Sequence, residues 1–343
     1  MPQIVRLKDI AARAGVSTMS VSKALRDAPD IAATTKARIR ALAEEMGYMP
    51  DTFAQALRNR QSRLFGVVIS ALTNPVYARM LMAIEEQAYE LGYQLVFAQS
   101  LNRPDREQKV IRQMLSRRVD GLFIAPVYRL EATAPVYQDL RRRGTPVVLL
   151  GPKAPFCQDF FNVETNDLAA SYTATRHLLD LGHRRIAFLT GPPTVPSSVE
   201  RLEGYRRALL EASLPVDDRL IFAAGGTIEE GEKAALQMLS ENPGATAVQT
   251  ANDLVAIGAA TVFLQQGLSI PRDLSIVGFG NILVSEHFRV PLTTIRQPKY
   301  RLGSAAMDTM LRVLRGEHPN TKRLPAELEI RASTAPPPAP PAS

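Results

Sequence analysis

From Leu64 onward, short apolar segments alternate with segments of helical periodicity, and this alternation restricts the fold more than any other feature of the chain. Segments such as LFGVVIS, PVVLLG and LSIVGF are apolar throughout, without interleaved polar residues. Strands of this kind are buried on both faces, as happens in parallel sheets covered by helices on each side. The helical segments end repeatedly at a glycine, namely Gly92, Gly144, Gly182 and Gly267. The sequence therefore predicts a doubly wound α/β core.

The alternation runs through two successions, which predict two lobes. The predicted strands fall within residues 64–70, 94–100, 121–126 and 146–151 for the first lobe, and 185–191, 221–226, 246–250 and 274–279 for the second. Ligands of doubly wound folds bind at the carboxyl ends of the strands. With two lobes, the expected ligand site is the cleft between them.

A different pattern precedes the core. Residues 7–25, LKDIAARAGVSTMSVSKAL, are predicted to form two short helices around a tight turn. Gly15 tolerates the positive φ that ends a helix, and Ser17 can cap the next helix with its hydroxyl. A third helix is predicted within residues 35–48, so three short helices can share one small core.

The second of these helices leaves polar side chains outside its core. Val21 and Leu25 are predicted to face inward, whereas the outward residues are Thr18, Met19, Ser22, Lys23 and Arg26. A short polar helix held by a partner helix fits the major groove of DNA. An ordinary helical hairpin has the same spacing, so this pattern alone leaves two interpretations open.

The charge distribution favours the nucleic-acid interpretation. Residues 1–63 contain eleven lysine and arginine residues and six acidic residues, which is +5 of the chain's net charge of +7. Cationic side chains in this segment can neutralise phosphates and release counterions.

The segments DIAARAGVSTMSVSKAL, EEMGYMPD and AQALRNRQSRLFGVVI resemble, in this order, the signature of the lactose/galactose-repressor family. HLLDLGHRRIAFLTG, RLEGYRRAL, ANDLVAIGA, SIVGF and PLTTIRQP continue the resemblance almost to the C-terminus. It implies an N-terminal three-helix helix–turn–helix domain plus a hinge helix, followed by a two-lobed α/β core that resembles periplasmic sugar-binding proteins. The implied function is sequence-specific transcriptional regulation, here as a repressor.

The resemblance also implies domain boundaries. The expected parts are a helix–turn–helix domain (1–49), a hinge helix and linker (50–63), an effector-binding and dimerisation core (64–332) and a Pro/Ala-rich tail (333–343). Within the core, lobe one is expected at about 64–164 and 297–323 and lobe two at about 165–296 and 324–332, with crossings near Glu164, Arg296 and Arg323. The composition of the tail predicts disorder.

By the same resemblance, the partner is a pseudo-palindromic double-stranded DNA operator. The expected contacts of the helix–turn–helix domain are Arg6, Leu7, Ser17, Thr18, Met19, Ser22, Lys23 and Thr35. Met19 and Lys23 are expected to read bases, and Arg6 to contact phosphate. Lys23 stands where the family more commonly has arginine, so a bidentate contact to guanine is replaced by a single-point donor.

The hinge is expected to act in the minor groove. Ala54 and Leu57 lie three residues apart on one helical face. In the family, two hinge helices enter the groove together, and the leucine wedges between base pairs and kinks the duplex. The alternative is that Leu57 packs within its own chain. Two helix–turn–helix units on a pseudo-palindrome require a homodimer.

The effector is expected to be a sugar or a sugar acid bound in the cleft. The candidate effector-binding residues all follow strands or lie at crossovers: Asn74, Tyr77, Arg201, Asn252, Asp253, Asn281 and Gln297. Their side chains supply paired donors and acceptors for vicinal hydroxyls or a carboxylate. The alternative is that each is a local cap or surface residue, and this alternative is strongest for Asp253.

One departure from the family concerns the effector. The family usually has an acid where this chain has Gly280, followed by Asn281. The loss of a negative charge makes the cleft less repulsive to an anion, which favours a sugar acid over a neutral hexose. A ligand in the cleft is expected to change the angle between the lobes and so to order or loosen the hinge helices. Whether it releases or promotes DNA binding depends on the state that it prefers.

Two other functional classes were considered. A sugar-processing enzyme is disfavoured because the sequence contains no GxSxG, GxxxxGK[ST] or HExxH motif and its four histidines are scattered. The single cysteine, Cys157, excludes an internal disulfide and a cysteine metal cluster, and we expect neither cofactor nor metal. A sugar-binding transport component is disfavoured because the N-terminus, MPQIVRLKD, lacks an apolar export segment. The expected location is the cytoplasm, with no membrane contact.

Overall fold

The computed structural model describes residues 5–49 and 61–338. The chain divides into two compact units, of which the first ends at Ser62 and the second begins at Arg63. Ala54 and Leu57, which carry the predicted hinge function, lie outside the described residues, as does the end of the tail from residue 339.

The N-terminal unit contains helices α1 (Leu7–Ala14), α2 (Thr18–Leu25) and α3 (Ala33–Glu45). Its core contains the fully buried side chains of Ile10, Val21 and Ile39. As predicted, Gly15 ends α1 with a φ of +65°, and Ser17 Oγ caps α2 by accepting from Ser20 N at 3.0 Å. Val21 and Leu25 face inward as predicted, with Leu25 half-buried against the core, and Ala24 is fully buried as well.

The second unit alternates strands and helices throughout. In chain order its elements are β1 (Leu64–Ile69), α4 (Pro75–Glu90), β2 (Gln94–Gln99), α5 (Pro104–Ser116), β3 (Gly121–Ile124), α6 (Pro135–Arg143), β4 (Val147–Leu150), β5 (Phe161–Thr165), α7 (Asp167–Asp180), β6 (Ile186–Thr190), α8 (Pro196–Glu211), β7 (Ile221–Ala223), α9 (Ile228–Glu241), β8 (Ala247–Thr250), α10 (Asp253–Gln265), β9 (Ser275–Gly280), α11 (Leu283–His287), β10 (Thr293–Arg296), α12 (Lys299–Leu314), β11 (Lys322–Leu324) and β12 (Glu327–Glu329).

The strands form two six-stranded sheets, so the predicted two-lobed, doubly wound architecture is confirmed. The sheet of lobe one has the order β11-β5-β4-β3-β1-β2, and its paired strands are parallel. The sheet of lobe two has the order β12-β10-β9-β8-β6-β7, with only β12 antiparallel to its neighbour. Side chains alternate between the two faces of each strand: on β1, Phe65 and Val67 pack with α4 and α12, whereas Val68 packs with α5 and α6.

The chain passes between the lobes three times. It leaves the first sheet after β5, returns after β10 and leaves again after β11, so the crossings follow Thr165, Arg296 and Leu324. The sequence pattern did not predict four of the strands, namely β5, β10, β11 and β12. β5 and β10 carry polar residues, and β11 and β12 have three residues each, so none shows a long apolar run.

The start of the tail differs from the prediction of disorder from residue 333. Ser333 is fully buried, and its hydroxyl donates to Ile276 O at 2.6 Å and accepts from Thr293 N at 2.8 Å. Ala335 O accepts from His183 Nε2 at 2.9 Å. These contacts use backbone and hydroxyl groups, so they hold the segment without the apolar side chains whose scarcity suggested disorder.

Candidate DNA-binding surface and effector cleft

Helix α2 presents the side chains that are predicted to contact DNA bases. Thr18 and Met19 are exposed, and Met19 leaves 65% of its surface open, an unusual exposure for a large apolar residue. Ser22 and Lys23 are half-buried on the same helix. An exposed apolar side chain beside hydroxyl and ammonium groups can contact both base edges and thymine methyls.

The other predicted DNA contacts have local roles as well. Arg6 is exposed, and its backbone N donates to Asp9 Oδ2 at 2.8 Å at the start of α1. Leu7 is half-buried and packs against the helical core, while Ser17 is exposed and serves as the cap of α2. Thr35 is half-buried in the first turn of α3.

Two aspartates in the turn between α2 and α3 pair with cations, which sequence analysis did not identify. Lys23 Nζ donates to Asp30, and its ammonium holds the pKa of that carboxyl below the usual value. Asp27 Oδ1 lies 3.2 Å from Lys36 Nζ and 2.8 Å from Arg40 Nη2, and both cations lower its pKa. This turn therefore brings negative charge next to the recognition helix.

In the core, two tyrosines and two acids from different elements lie within electrostatic range of one another. Burial raises the pKa of Tyr128 well above its usual value, and Tyr77, Glu164 and Asp167 reinforce the effect. Tyr128 follows β3, and its hydroxyl donates to Pro152 O at 2.8 Å. Tyr77 belongs to lobe one, and Asp167 begins the first helix of lobe two, so these side chains belong to both sides of the cleft. Sequence analysis identified Tyr77 but not the other three.

Arg201 is held by contacts within lobe two. Its Nη2 lies 3.2 Å from Asp167 Oδ1, and its Nη1 donates to Ala251 O. The guanidinium carbon lies 3.7 Å from the centroid of the Phe279 ring, a cation–π contact. Its Nε is buried and has no hydrogen-bond partner among residues 5–49 and 61–338. Both terminal nitrogens of this predicted effector-binding residue, Nη1 and Nη2, are therefore occupied in this state.

Asp253, another of the predicted effector-binding residues, is satisfied by internal contacts in the state described. Its carboxylate is 1% exposed. Oδ1 accepts from Thr294 Oγ1 at 2.5 Å, and Oδ2 accepts from Ile282 N at 2.9 Å and Ser285 Oγ at 2.7 Å. A buried carboxylate with three donors is already satisfied, so Asp253 fixes the chain that follows β9.

The four amide side chains of the predicted set also make internal contacts. Asn252 Oδ1 caps α10 by accepting from Val255 N at 2.9 Å, and its Nδ2 donates to Gly226 O at 3.2 Å. Asn74 Oδ1 caps α4 in the same way, at 3.1 Å from Val76 N. Asn252 directly follows Ala251, the acceptor of the Arg201 fork, so these two predicted residues are brought together.

Asn281 and Gln297 lie at the next strand end and at a crossover. Asn281 Oδ1 accepts from Arg331 Nη2 at 2.8 Å, and Gln297 Nε2 donates to Thr165 Oγ1 at 3.1 Å. The second contact joins the first and second crossovers between the lobes. In the state described, the alternative role of local cap is realised for Asn74 and Asn252, whereas Asn281 and Gln297 contact residues that are distant in the sequence.

Gly280 has a backbone conformation that explains why no acid stands there. Its φ is +137°, a value that residues with side chains rarely adopt, and an added Cβ would lie 3.4 Å from Asp253 Oδ2. An acidic residue at this position would be strained and would face a second carboxylate.

Lys299 lies at the same strand end and was missed by sequence analysis. It is 6% exposed, and its Nζ donates to Gly280 O and, at 2.9 Å, to Asn281 O. Burial lowers the pKa of Lys299 to about 8, partly opposed by Asp253 and reinforced by Arg79. Because Lys299 begins α12 of lobe one and its acceptors follow β9 of lobe two, this contact joins the lobes.

A second contact between the lobes is ionic. Arg323 of β11 pairs with Glu200 of α8, and its Nε lies 3.6 Å from Glu164 Oε1 of β5. Burial raises the pKa of Glu164 above its usual value, while Arg323 lowers it. A rotation of the lobes must change the Arg323–Glu200 contact, because Arg323 belongs to lobe one and Glu200 to lobe two.

Within residues 5–49 and 61–338, no group of three or more histidine, cysteine, aspartate or glutamate side chains could hold a metal ion. In the same part of the chain, no helix is long and apolar enough to cross a membrane.

Comparison with known families matches both units. Residues 6–51 match the bacterial regulatory proteins of the lacI family. Residues 62–332 match the family described as periplasmic binding proteins and sugar binding domain of LacI family.

Two curated relatives illustrate the similarity. The chain is 32% identical over 330 residues to the HTH-type transcriptional repressor CytR of Escherichia coli (strain K12), covering 96% of each chain. It is 32% identical over 305 residues to the ribose operon repressor of the same organism, covering 89% of this chain and 92% of the relative.

Solved structures give the same picture. The chain is similar to the lac repressor dimer bound to operator and the anti-inducer ONPF, with a TM-score of 0.87 and 28% identity over 97% of this chain and 100% of that one. It is also similar to a LacI family transcriptional regulator from Enterococcus faecium with bound ribose, with a TM-score of 0.70 and 30% identity over 80% of this chain and 99% of that one.

Proposed function

Because the chain belongs to the LacI family of bacterial regulatory proteins, we propose that it is a transcriptional repressor that binds a pseudo-palindromic operator as a homodimer and responds to a small molecule in the cleft of its core. The observation that carries this proposal is the presence, in one chain, of an exposed recognition helix and a two-lobed α/β core. The family comprises transcriptional regulators, not enzymes. A DNA-binding repressor acts where the chromosome is, so we place the protein in the cytoplasm.

We assign the reading of the operator to α2. Met19 and Lys23 are the base contacts of this assignment, since both belong to the outward side of the recognition helix. Arg6 contacts phosphate, and Ala54 and Leu57 act from paired hinge helices in the minor groove. The similarity to a repressor dimer bound to operator supports this arrangement.

We assign the effector to the strand ends around Arg201. The proposed ligand-binding residues are Asn74, Tyr77, Arg201, Asn252, Asn281 and Gln297, without Asp253. A sugar or sugar acid suits these amide, phenol and guanidinium groups, because each can exchange an internal hydrogen bond for one to a hydroxyl. Relatives with bound ribose or with a cellobiose complex support a sugar-like effector, and no cofactor is proposed.

The contacts that join the lobes explain how an effector can act. One is the Arg323–Glu200 ion pair, and the other is the pair of hydrogen bonds from Lys299 to the carbonyls of Gly280 and Asn281. Both contacts can form only within a narrow range of angles between the lobes. A ligand that prefers one angle shifts the population toward it by its differential affinity. The change in angle then alters the hinge segments that precede the core in each subunit.

The test is DNA binding by the full-length protein. Fluorescence anisotropy with duplexes from the regions flanking its own gene should identify a fragment that binds more tightly than scrambled DNA at 150 mM salt, at roughly physiological ionic strength. A thermal-shift screen of sugars and sugar acids should then identify a ligand that raises the melting temperature and changes the operator affinity. Equal affinity for every fragment would contradict the proposal.

A further inference from the structure

The buried ammonium of Lys299 lacks an anionic partner. Its described acceptors are two backbone carbonyls, of Gly280 and Asn281, and within residues 5–49 and 61–338 it forms no salt bridge. An ammonium has three donors, so one N–H has no described acceptor. A buried cation without a counter-charge is costly, because carbonyl dipoles replace water only in part.

The nearest acid does not compensate this charge. Asp253 raises the pKa of Lys299, so its field reaches the ammonium. However, both of its oxygens are occupied by the hydroxyls of Thr294 and Ser285 and by the backbone N of Ile282. The position at which the family usually carries an acid is Gly280, which has no side chain.

A second cation of lobe one, Arg79, acts electrostatically on Lys299. Arg79 belongs to the first turns of α4, close in sequence to Asn74 and Tyr77, and it is exposed. Its positive charge further lowers the pKa of Lys299, so the two side chains lie within electrostatic range. No hydrogen bond or ion pair of Arg79 is found in the part of the chain that the structure describes.

Arg201 is a poorer anchor for an anion than Lys299. Its terminal nitrogens are held by Asp167 and by Ala251 O, and its π contact with Phe279 fixes the plane of the guanidinium. The charge of Arg201 is thus already neutralised by a carboxylate, whereas the charge of Lys299 is not.

We infer that the effector is an anionic sugar, bearing a carboxylate or a phosphate, and that Lys299 and Arg79 bind its anionic group while Arg201 and Asn252 face its hydroxyls. This inference rests on the proposed function, since it places the ligand in the same cleft. It places the anionic contact on a lysine that is not among the effector-binding residues predicted from the sequence.

Binding of an anion to Lys299 should be coupled to the uptake of protons. Lys299 must be charged to bind an anion, and its pKa of about 8 in the free protein means that part of the population is neutral just above neutral pH. The anion stabilises the charged form, so binding near pH 8 should take up protons. The charged groups within range of this titration are Asp253 on α10 and Arg79 on α4.

The experiment is isothermal titration calorimetry on the full-length protein with D-gluconate, D-glucuronate and D-ribose 5-phosphate, beside neutral D-glucose and D-ribose. At least one anionic probe should bind wild type about tenfold or more tightly than its neutral counterpart. At pH 8 the heat of binding should differ between Tris and HEPES in the sense of proton uptake. A comparison of the affinities of the carboxylate and phosphate probes shows which of the two anionic groups the site binds.

Variants separate ligand binding from a structural role of Lys299. Lys299→Met should lower the affinity for the anionic probe at least about tenfold and remove the proton uptake. Lys299→Arg should keep the preference for the anion. Lys109→Met, which removes the same charge from an exposed site on α5, is the matched control and should bind as wild type does. Arg79→Gln should lower the affinity for the anionic probe by a smaller factor than Lys299→Met does.

The outcomes distinguish this inference from the function on which it rests. If Lys299→Met binds the anion as tightly as wild type, or if only neutral sugars or none of the probes bind, the inference is overturned. Sequence-selective operator binding would still stand in those cases, because it is measured without ligand. Loss of operator selectivity in wild type would instead reject the proposed function.

Discussion

The ammonium of Lys23, on the recognition helix, is paired with the carboxylate of Asp30 in the turn that follows it. Both side chains are substantially exposed, so the pair is worth little in stability and DNA can displace it. In the role that we propose for Lys23, its ammonium exchanges Asp30 for a base edge, which leaves the negative charge of Asp30 close to the DNA.

Lys23→Ala should change the sequence preference of the protein, whereas Arg6→Ala should lower affinity by a similar factor for every sequence. A base contact is worth about 1–3 kcal/mol of discrimination, while a phosphate contact carries no sequence information. Selection from a randomised operator library with each variant measures the difference. An unchanged preference in the Lys23 variant would reject its assignment as a base reader.

Asp30→Asn should raise the affinity for non-specific DNA and reduce the ratio of specific to non-specific binding. The substitution removes a negative charge near the phosphates and frees Lys23 to contact any acceptor. Asp27→Asn is the matched control, since Asp27 pairs with Lys36 and Arg40 and not with Lys23. Equal changes in specificity for both variants would mean that the effect is general electrostatics and not the orientation of Lys23.

Leu57→Ala should weaken specific operator binding while leaving non-specific binding and the thermal unfolding of the core nearly unchanged. The leucine acts only when it is inserted into bent DNA, where unstacking a step costs a few kcal/mol that the wedge helps to offset. DNA bending measured by fluorescence energy transfer between end-labelled operators gives a direct readout. Identical bending by variant and wild type would contradict the wedge role.

Arg201→Ala should abolish the response to effector while operator affinity stays close to that of wild type. Removing the guanidinium also leaves Asp167 buried without its partner, which costs about 3–5 kcal/mol in comparable cases. The double variant Arg201→Ala with Asp167→Asn removes that uncompensated charge and should recover much of the stability, but not the effector response. Recovery of the response in the double variant would show that Arg201 acts only through folding.

The stability of the free protein should depend on pH through Lys299. In the folded state its pKa is about 8, and in the unfolded chain it is near the ordinary 10.5. Between these values the unfolded chain binds more protons, so the free energy of unfolding rises with pH in this window, by at most roughly 3 kcal/mol. The comparison is urea unfolding of wild type and Lys299→Met from pH 7 to 10.5. A constant difference between the two would argue against a depressed pKa.

Features that depend on neighbouring residues in the sequence could be predicted. Gly15 and Ser17 end one helix and begin the next by interactions that span three residues, so their types reveal the turn. The apolar strands of the core were evident for the same reason. The role of local cap was considered most plausible for Asp253, but the N-cap of α10 is its neighbour Asn252.

Features that depend on distant residues could not be predicted. The occupants of the Arg201 fork come from residues 34 and 50 positions away, and the acceptors of Lys299 lie 18 and 19 positions away on another lobe. Nothing local to Asp253 indicates that Thr294 and Ser285 would saturate it. In the tail, low apolar content suggested disorder, but backbone and hydroxyl contacts decided the outcome for Ser333 and Ala335.

The interleaved order of the strands has a consequence for synthesis on the ribosome. Lobe one takes its edge strand β11 from residues 322–324, and lobe two takes β12 and the buried Ser333 from residues that follow. Neither sheet can therefore be completed before residues 322–333 have been synthesised. The helical unit, in contrast, precedes the core in the chain and ends at Ser62, so it can fold while most of the core has not yet been synthesised. The DNA-binding unit can thus fold before the effector-binding core is complete.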